Sequence, residues 1–440
     1  MRIATATLAN ARARRFGYDR DAQRVGIVHF GIGAFHRAHQ AWYTDRAMDA
    51  GDRDWMIAGV SLRSAGVAEQ MNPQDGLYTV AERSAAGTDL RVVGAVREVL
   101  VGTHQRWGIA LSLAAPTTRI VSFTVTEKGY CRAADGSLDL ALAEGGFYPL
   151  LAEAMRARRD AGIAGLTLLS CDNLADNGGQ LARLMGAYLS ARAPDLLGWF
   201  EAECRCPSTM IDRIVPATTE ADRAEIEGLL GLADAAAVVT EPFSQWVIED
   251  SFAGARPRWE AVGAELVGDV APYEMAKLRM LNGAHSLLAY CGLAAGHAYV
   301  HEAVADPALR ALVERLMREE AAPTVNAAPG QDLMAYADAL IARFANPRLG
   351  HRLSQIAMDG SQKIPQRWLE TLEANRRNGR DCPAIEAGLA AWFRHLRGAN
   401  GAVDDPLADR LGPIARASDD KTLRATLVGP QGLCVSMQTG

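Results

Sequence analysis

The sequence predicts an α/β fold in its N-terminal part, with helices around a doubly wound parallel sheet, and a mostly α-helical C-terminal part. The apolar segment 24–30 leads through Gly31 and Gly33 into a helical stretch. Further strand-like segments alternate with helical ones, which is typical of a parallel sheet covered by helices. From about Pro272 onward the pattern is helical, with no convincing strand.

The individual elements follow from composition and periodicity. Short apolar and β-branched runs predict core strands at 24–30, 55–60, 119–125 and 166–170, and an antiparallel insertion at 78–81 and 90–93. Apolar residues at helical spacing predict helices at 34–48, 146–161, 303–319, 334–344, 365–375 and 385–396. The change of pattern places a domain boundary near Gly268, between a domain of residues 1–268 and one of residues 269–440.

Composition limits the classes of function. The 440 residues are 49% hydrophobic and 22% charged, as in ordinary globular proteins. A formal net charge of -6 without a basic stripe argues against nucleic acid or an anionic membrane surface as main partner, so we expect a small molecule. Seven scattered cysteines favour reduced thiols, and no apolar run has the length of a membrane span. We therefore expect a cytoplasmic protein.

The glycine pair indicates a dinucleotide site. Gly31 and Gly33 lie between a predicted strand and a predicted helix, the context of a Rossmann-like phosphate-binding turn. The motif is incomplete because His36 stands where a third glycine is usual. His36, Arg37 and His39 either meet phosphate and ribose or are solvated polar residues of the first helical turns. The first domain is thus predicted to bind a dinucleotide.

The segment after the second predicted strand bears on the type of cofactor. An acid at this place normally binds the ribose hydroxyls of NAD, but residues 61–64 (SLRS) contain none. Arg63 either accommodates a 2'-phosphate or stacks on adenine. NAD is the expected cofactor, and the choice between NAD and NADP stays open.

Segment 272–285 carries a carboxylate, an amine, an amide and an imidazole, namely Glu274, Lys277, Asn282 and His285. Side chains three or four residues apart share one helix face, so Glu274 should neighbour Lys277, and Asn282 should neighbour His285. Surrounding apolar residues indicate burial, which disfavours the charged form of a lysine. The segment therefore has the groups that proton transfer needs.

Two chemistries compete for this segment. Tyr273 and Lys277 have the spacing of the tyrosine–lysine pair of short-chain dehydrogenases, but that pair lies within the dinucleotide domain of a shorter chain. In the second interpretation Lys277 itself is the base, Glu274 carries the proton to solvent and Asn282 stabilises an oxyanion. The structural alternative is a surface ion pair followed by an Asn-Gly turn.

No metal site is expected. Cys204 and Cys206 lack histidine partners nearby in the sequence. His297 and His301 are four residues apart but lack the third ligand of a helical zinc site.

Several collinear motifs resemble the mannitol dehydrogenase family, the polyol-specific long-chain dehydrogenases. They lie at 27–40 (IVHFGIGAFHRAHQ), 126–130 (TEKGY), 170–174 (SCDNL), 211–219 (IDRIVPATT), 241–250 (EPFSQWVIED), 277–285 (KLRMLNGAH) and 359–363 (DGSQK). The family transfers hydride between a nicotinamide cofactor and open-chain sugars or sugar acids without a metal. The resemblance covers about residues 24–392.

The resemblance implies roles by position. Lys277 would be the catalytic lysine, Asn173 and Asn282 the oxyanion hole, and Glu274 the gate for proton exchange. The residues expected to contact substrate are His285, Lys363 and Asp212, and those expected to match the dinucleotide motif are Gly31, Gly33, Phe35 and Arg37. Such a site would lie in the cleft between the two domains.

Within these motifs, individual positions are similar to the fructuronate reductase, or D-mannonate oxidoreductase, branch of the family. Lys128 and Gln355 stand where mannitol dehydrogenases tend to have glycine and arginine. Lys128 or Lys363 could supply the cation that a uronate carboxylate needs. The expected reaction is therefore the interconversion of D-fructuronate and D-mannonate, with mannitol or arabinitol 2-dehydrogenase as the alternative.

A catalytically silent dinucleotide-binding sensor is the hypothesis of a different class. A monomer or small homo-oligomer is expected. The last segment, 423–440, departs from the family pattern because it has little helical amphipathy, so its packing is in doubt.

Overall fold

The computed structural model describes residues 1–429 and 432–436. The chain forms two compact units, Met1–Val270 and Ala271–Gly440. Each unit has its own hydrophobic core. No helix in the described ranges combines the length and apolarity that crossing a membrane requires.

Eleven strands lie in the described part of the first unit. They are β1 Val25–Phe30, β2 Met56–Ser61, β3 Tyr78–Ser84, β4 Gly87–Val93, β5 Val96–Val101, β6 Ile120–Phe123, β7 Thr167–Ser170, β8 Thr209–Asp212, β9 Val238–Thr240, β10 Gln245–Glu249 and β11 Glu265–Val267. The four predicted core strands are confirmed as β1, β2, β6 and β7. Strand β5 and the four strands from β8 onward were not predicted.

The main sheet has five parallel strands in the order β5-β2-β1-β6-β7. Successive residues of β1 face opposite sides of the sheet, so Ile27 belongs to one core and Val28 to another. Strand β2 repeats this pattern with Ile57 and Ala58. Because both faces are buried, the strands are mostly apolar, as in doubly wound sheets.

Two three-stranded sheets complete the first unit. Strands β3 and β4 are antiparallel, as predicted, and β9 pairs with β3 in parallel. Strand β10 pairs antiparallel with β8 and parallel with β11.

Ten α-helices surround these sheets in the described first unit. They are α1 Ala34–Ala38, α2 Gln40–Asp49, α3 Gly66–Met71, α4 Arg106–Ala114, α5 Thr126–Gly129, α6 Leu140–Ala143, α7 Tyr148–Asp160, α8 Asn177–Arg192, α9 Pro194–Glu203 and α10 Glu220–Leu230. The single helix predicted over 34–48 is wrong, because it is broken at His39 (φ -123, ψ -96). The helix predicted over 146–161 is confirmed as α7.

The second unit is helical, as predicted. Its α-helices are α11 Ala271–Ala276, α12 Gly283–Ala294, α13 Val300–Ala305, α14 Pro307–Arg315, α15 Leu333–Phe344, α16 Leu353–Ile356, α17 Gly360–Ile364, α18 Glu370–Arg377, α19 Pro383–Leu396, α20 Ala408–Ala417, α21 Asp420–Val428 and α22 Leu433–Ser436. Helix α12 packs on α16 and α19 in the centre of the core.

Three π-helical segments interrupt the helices of this unit. They are Lys277–Asn282, Leu316–Ala321 and Pro365–Leu369, and the first packs against the other two. A π-turn has hydrogen bonds between residues five apart instead of four, is rare, and occurs frequently at functional sites.

Two further helix predictions need correction. The helix expected over 303–319 is split at Asp306, whose backbone is extended (φ -69, ψ 119) because the next residue is Pro307. The expectation of little helical structure after residue 423 is also wrong. Leu423 and Leu427, four apart on α21, are fully buried in the core. Residues 430–431 and 437–440 of that segment lie outside the described residues.

The turn after β1 is fixed by a buried polar network. Gly31 has a positive φ of 95°, and a Cβ there would lie 2.1 Å from the carbonyl oxygen of Thr124. The ring of His29 hydrogen-bonds the Ser122 Oγ (2.8 Å) through Nδ1, and the Thr124 Oγ1 (2.9 Å) and Gly31 O (3.2 Å) through Nε2. Only glycine fits at position 31, and His29 orients its carbonyl.

The burial of His29 predicts a pH dependence of stability. Desolvation lowers the pKa of His29 to about 3. An unfolded histidine takes up a proton near pH 6.5, so the free energy of unfolding should fall as the pH drops below that value, by about 1.4 kcal/mol per pH unit for this group.

Urea unfolding of the wild type and His29→Gln at pH 7.5, 6.5, 5.5 and 5.0 measures this dependence. In His29→Gln, the free energy of unfolding should depend less steeply on pH, because the contribution of His29 is gone. His104→Gln, at an exposed position, should show the same pH dependence as the wild type. Identical slopes in wild type and His29→Gln would contradict the prediction.

Candidate active site

A cavity of about 430 Å³ lies at the carboxyl ends of the parallel strands of the first unit. It is lined by Gly31, Gly33, Ala34, Phe35, Thr124, Thr126, Glu127, Cys171, Asp172, Asn173, Leu174 and Ile211. The strand order reverses between β1 and β6, and ligands of open α/β sheets bind at such a switch point. The volume lies in the range of ligand pockets.

This cavity brings together four predicted residues: Gly31, Gly33, Phe35 and Asn173. A Cβ on Gly33 would lie 3.9 Å from its nearest neighbour, the Gly31 carbonyl oxygen, so the backbone of the turn faces accessible space. Asn173 is exposed on the loop after β7. These residues fit a dinucleotide, whose phosphates need close approach to the backbone.

Arg37 has a different place from the one predicted. It is buried, its Nε donates to the Gly33 carbonyl (3.3 Å), and its Nη1 donates to the Ala236 carbonyl. The Tyr78 hydroxyl donates to the Arg37 carbonyl (2.8 Å). The guanidinium thus holds the glycine turn against a neighbouring segment and is a positioning group.

His36 and His39 fit neither alternative considered for them, because both are fully buried. The His36 ring stacks on His29 with centroids 3.4 Å apart, and the His39 ring stacks on Phe35 at 5.2 Å. Burial lowers the pKa of His36 well below its usual value. His36 is thus a neutral packing group behind the turn, and His39 packs there as a buried ring.

Asp172 anchors the loop that lines the other side of the cavity. Its carboxylate accepts hydrogen bonds from the backbone N–H of Val125 (3.0 Å) and Thr126 (2.8 Å) and from the Tyr130 hydroxyl (2.9 Å). Thr126 has a φ of +62°, an uncommon value for a β-branched residue. Burial raises the pKa of Asp172, although these hydrogen bonds oppose the shift. Asp172, which precedes Asn173 in the chain, therefore fixes the backbone of Val125 and Thr126.

Besides Arg37, three predicted residues of the first unit do not line the cavity. Lys128 is exposed on α5, next to the lining residue Glu127. Arg63 is exposed in the segment that follows β2. Asp212 is buried at the end of β8, next to the lining residue Ile211.

In the second unit, the π segment begins with Lys277 and ends with Asn282. Both residues are half-buried, as is Glu274 on α11. Residues five apart are on successive turns of a π-helix, so Lys277 and Asn282 occupy corresponding places along one side. An uninterrupted α-helix, as predicted, would not align them.

The third π segment, Pro365–Leu369, supplies side-chain donors to the end of the first. Arg367 Nη1 donates to the Asn282 carbonyl (3.3 Å) and to the Ser286 hydroxyl (2.8 Å). Trp368 Nε1 donates to the Gly283 carbonyl (3.1 Å). These contacts tie the irregular turn to Pro365–Leu369. Arg367 was not predicted as a site residue. A proline within a helical pattern, at position 365, was the available signal.

His285 lies on α12, one turn after Asn282. It is 9% exposed, and among the described residues its Nε2 has no hydrogen-bond partner. Burial, with smaller effects of His351 and two arginines, lowers the pKa of His285 well below its usual value, so the ring is neutral at pH 7. A buried polar atom without a partner is costly, which indicates a place for a ligand hydroxyl.

Lys363 is half-buried on α17 in the same unit. Its Nζ donates to the Met358 carbonyl (2.6 Å) and lies 3.4 Å from the Asp359 carboxylate. Burial, followed by the charge of Arg367, lowers the pKa of Lys363.

Both units match known protein domains. Residues 25–261 match the mannitol dehydrogenase Rossmann domain, and residues 269–430 match the mannitol dehydrogenase C-terminal domain. D-mannonate oxidoreductase of Escherichia coli (strain K12) is 43% identical over 420 residues, covering 91% of this chain and 86% of the relative. Mannitol 2-dehydrogenase of Pyrenophora tritici-repentis is 37% identical over 430 residues, with 91% and 76% covered.

Two solved structures are similar along the whole chain. Mannitol 2-dehydrogenase of Pseudomonas fluorescens, in a ternary complex with NAD and D-mannitol, has a TM-score of 0.82 at 34% identity, covering 100% of this chain and 94% of that one. A D-sorbitol dehydrogenase in substrate-free form has a TM-score of 0.90 at 31% identity, with the same coverage. The predicted family and fold class are confirmed: the chain belongs to the mannitol dehydrogenase family and is an oxidoreductase that acts on CH–OH groups.

Proposed function

We propose that the protein interconverts D-fructuronate and D-mannonate by NAD-dependent hydride transfer at the ketone carbon. The observation that carries the reaction type is the π-helical turn, which presents the Lys277 amine and the Asn282 amide on successive turns. The substrate rests on the similarity to the Escherichia coli D-mannonate oxidoreductase.

The cofactor would lie in the cavity of the first unit. Gly31, Gly33 and Phe35 would hold it, and NAD, when bound, accepts or supplies hydride at the carbon that carries the reacting oxygen. NAD is favoured by the solved relative that contains it. Arg63, exposed after β2, would stack on the adenine in this proposal.

Side chains of the protein would transfer the proton of the reacting oxygen and stabilise the negative charge on that oxygen. During reduction Lys277 Nζ delivers a proton to the ketone oxygen, and during oxidation the neutral amine removes it from the hydroxyl. Asn173 and Asn282 donate hydrogen bonds to that oxygen while it carries negative charge. Glu274, one helical turn before Lys277, exchanges the proton with solvent.

The remaining predicted residues would orient the substrate. The neutral His285 ring can exchange a hydrogen bond with a substrate hydroxyl through Nε2. Lys363 and Asp212 would bind further oxygens along the chain of the sugar acid, and Lys128 would approach its carboxylate from α5.

A second candidate is a mannitol or arabinitol 2-dehydrogenase. The 37% identical Pyrenophora tritici-repentis relative is a mannitol 2-dehydrogenase, and the same lysine and asparagines would serve a neutral polyol. The two candidates differ in whether the substrate carries a carboxylate.

Replacing Lys277 tests the proton-transfer role. Lys277→Met should lower kcat by roughly 100- to 10,000-fold, because the general acid/base is lost. NADH binding, followed by fluorescence titration, should be unchanged. Lys421→Met, at an exposed position on α21, is the matched control, since the chain has only four lysines. If Lys277→Met keeps more than a tenth of kcat, Lys277 is not the acid/base.

A substrate panel tests the proposed reaction. We expect NADH oxidation with fructuronate to exceed that with tagaturonate and fructose, and Lys128→Gly to lower the fructuronate-to-fructose ratio of kcat/KM. Rapid fructose turnover without uronate turnover would favour the polyol candidate. An unchanged ratio in Lys128→Gly would remove Lys128 from carboxylate binding.

A further inference from the structure

We propose that Arg367, on the π segment Pro365–Leu369, binds the carboxylate of the substrate. The carboxylate would then lie next to His285 and to the π-helical turn that ends with Asn282. This inference rests on the proposed function, in which the substrate is a sugar acid. It adds a residue that determines the choice between a charged and a neutral substrate.

Arg367 is a half-buried cation without a counter-ion. Its hydrogen bonds among the described residues are both made by Nη1, to the Asn282 carbonyl and the Ser286 hydroxyl. No carboxylate of the described chain lies within ion-pair distance of it. A partly desolvated charge is costly unless it is paired, so the site favours an incoming anion.

Glu370, three residues after Arg367, pairs with Arg279 at 3.2 Å, and two other carboxylates of this region are also engaged elsewhere. Asp359 forms an ion pair with Lys363 at 3.4 Å. Asp405 accepts hydrogen bonds from the backbone N–H (2.8 Å) and hydroxyl (2.7 Å) of Ser361 and from the Leu407 N–H (2.9 Å). None of them neutralises Arg367, so the positive charge there remains available.

The geometry of the guanidinium suits a carboxylate. With Nη1 committed to the protein, Nη2 and Nε remain as a pair of donors, and two parallel donors match the two oxygens of a carboxylate. The contact of Nη1 with the Asn282 carbonyl places this pair beside the proposed oxyanion donor. A substrate with its ketone near Asn282 would therefore have its carboxylate within reach of Arg367.

His285 gives an independent indication that a ligand occupies this place. Its Nε2 is buried without a partner among the described residues. Arg367 donates to the Asn282 carbonyl and to the Ser286 hydroxyl, so its guanidinium contacts the helix segment that carries His285. A hydroxylated acid can satisfy both groups at once, with a hydroxyl for His285 and a carboxylate for Arg367.

Arg367→Lys and Arg367→Gln test the proposal, with the exposed Arg394→Gln on α19 as control. Loss of the contacts to Asn282 and Ser286 should affect all substrates alike. Loss of carboxylate binding should raise KM for fructuronate by roughly a further 10- to 100-fold, as expected for a charged hydrogen bond. The fructuronate-to-fructose ratio of kcat/KM should therefore fall in both variants and stay unchanged in the control. An equal loss on both substrates would show that Arg367 only holds the turn, and would overturn the proposal.

A binding measurement separates this proposal from the proposed function. If the wild type reduces fructose but no uronate, the proposed function fails, and inhibition by gluconate and by the neutral polyol sorbitol still reports on the anion site. A gluconate Ki that rises at least tenfold in Arg367→Lys, with an unchanged sorbitol Ki, supports carboxylate binding. Equal changes overturn it.

Melting temperature and NADH titration identify a variant that fails to fold. If neither variant folds, inhibition of the wild-type enzyme by gluconate and by sorbitol tests the proposal. Tighter inhibition by gluconate than by sorbitol, weakened by salt, supports the anion site, and equal inhibition by the two overturns it.

Discussion

The π-helical turn Lys277–Asn282 is the constraint on which the account of the catalytic residues depends. One extra residue in a helical turn costs a regular hydrogen bond, and such turns persist where neighbouring groups compensate. Here the compensation comes from Arg367 and Trp368, which donate to the carbonyls of Asn282 and Gly283. In the proposed mechanism, the turn held in this way lets the Lys277 amine and the Asn282 amide, five residues apart, serve one reacting oxygen.

In the first unit, buried polar groups likewise hold irregular backbone in place. The turn after β1 needs a positive φ at Gly31, and its carbonyl is held by the His29 ring and the Thr124 hydroxyl. Asp172 holds the loop after β6 through two backbone N–H groups. Both devices fix backbone at the carboxyl ends of strands, where the cavity lies. The rigid parts of each unit thus lie beside the groups proposed to bind ligand.

The sequence predicted what depends on local pattern. Core strands such as β1 and β6 were predicted because strands buried on both faces are mostly apolar. Strand β5 was missed because Arg97 and Glu98 interrupt its apolar pattern and because Gly94 and Ala95 join it closely to β4. The family resemblance supplied Asn173, which no spacing relates to Lys277.

Other features depend on contacts between distant segments and were not predictable. The segment KLRMLN is compatible with an ordinary α-helix, and its π-turn packs against residues 365–369, far along the chain. His36 looked like a surface or phosphate-binding residue, but stacking on His29 buries it. Arg37 matched the family's motif, yet the Ala236 carbonyl that it binds lies about 200 positions away.

A double-mutant cycle on Lys277 and Asn282 measures whether the π-turn joins the two residues into one catalytic unit. Groups that act as one unit are strongly non-additive, because the loss of one removes most of what the other contributes. We predict that Lys277→Met combined with Asn282→Ala lowers kcat little further than Lys277→Met alone. If the two losses multiply, the residues act independently and the π-turn does not join them into one catalytic unit.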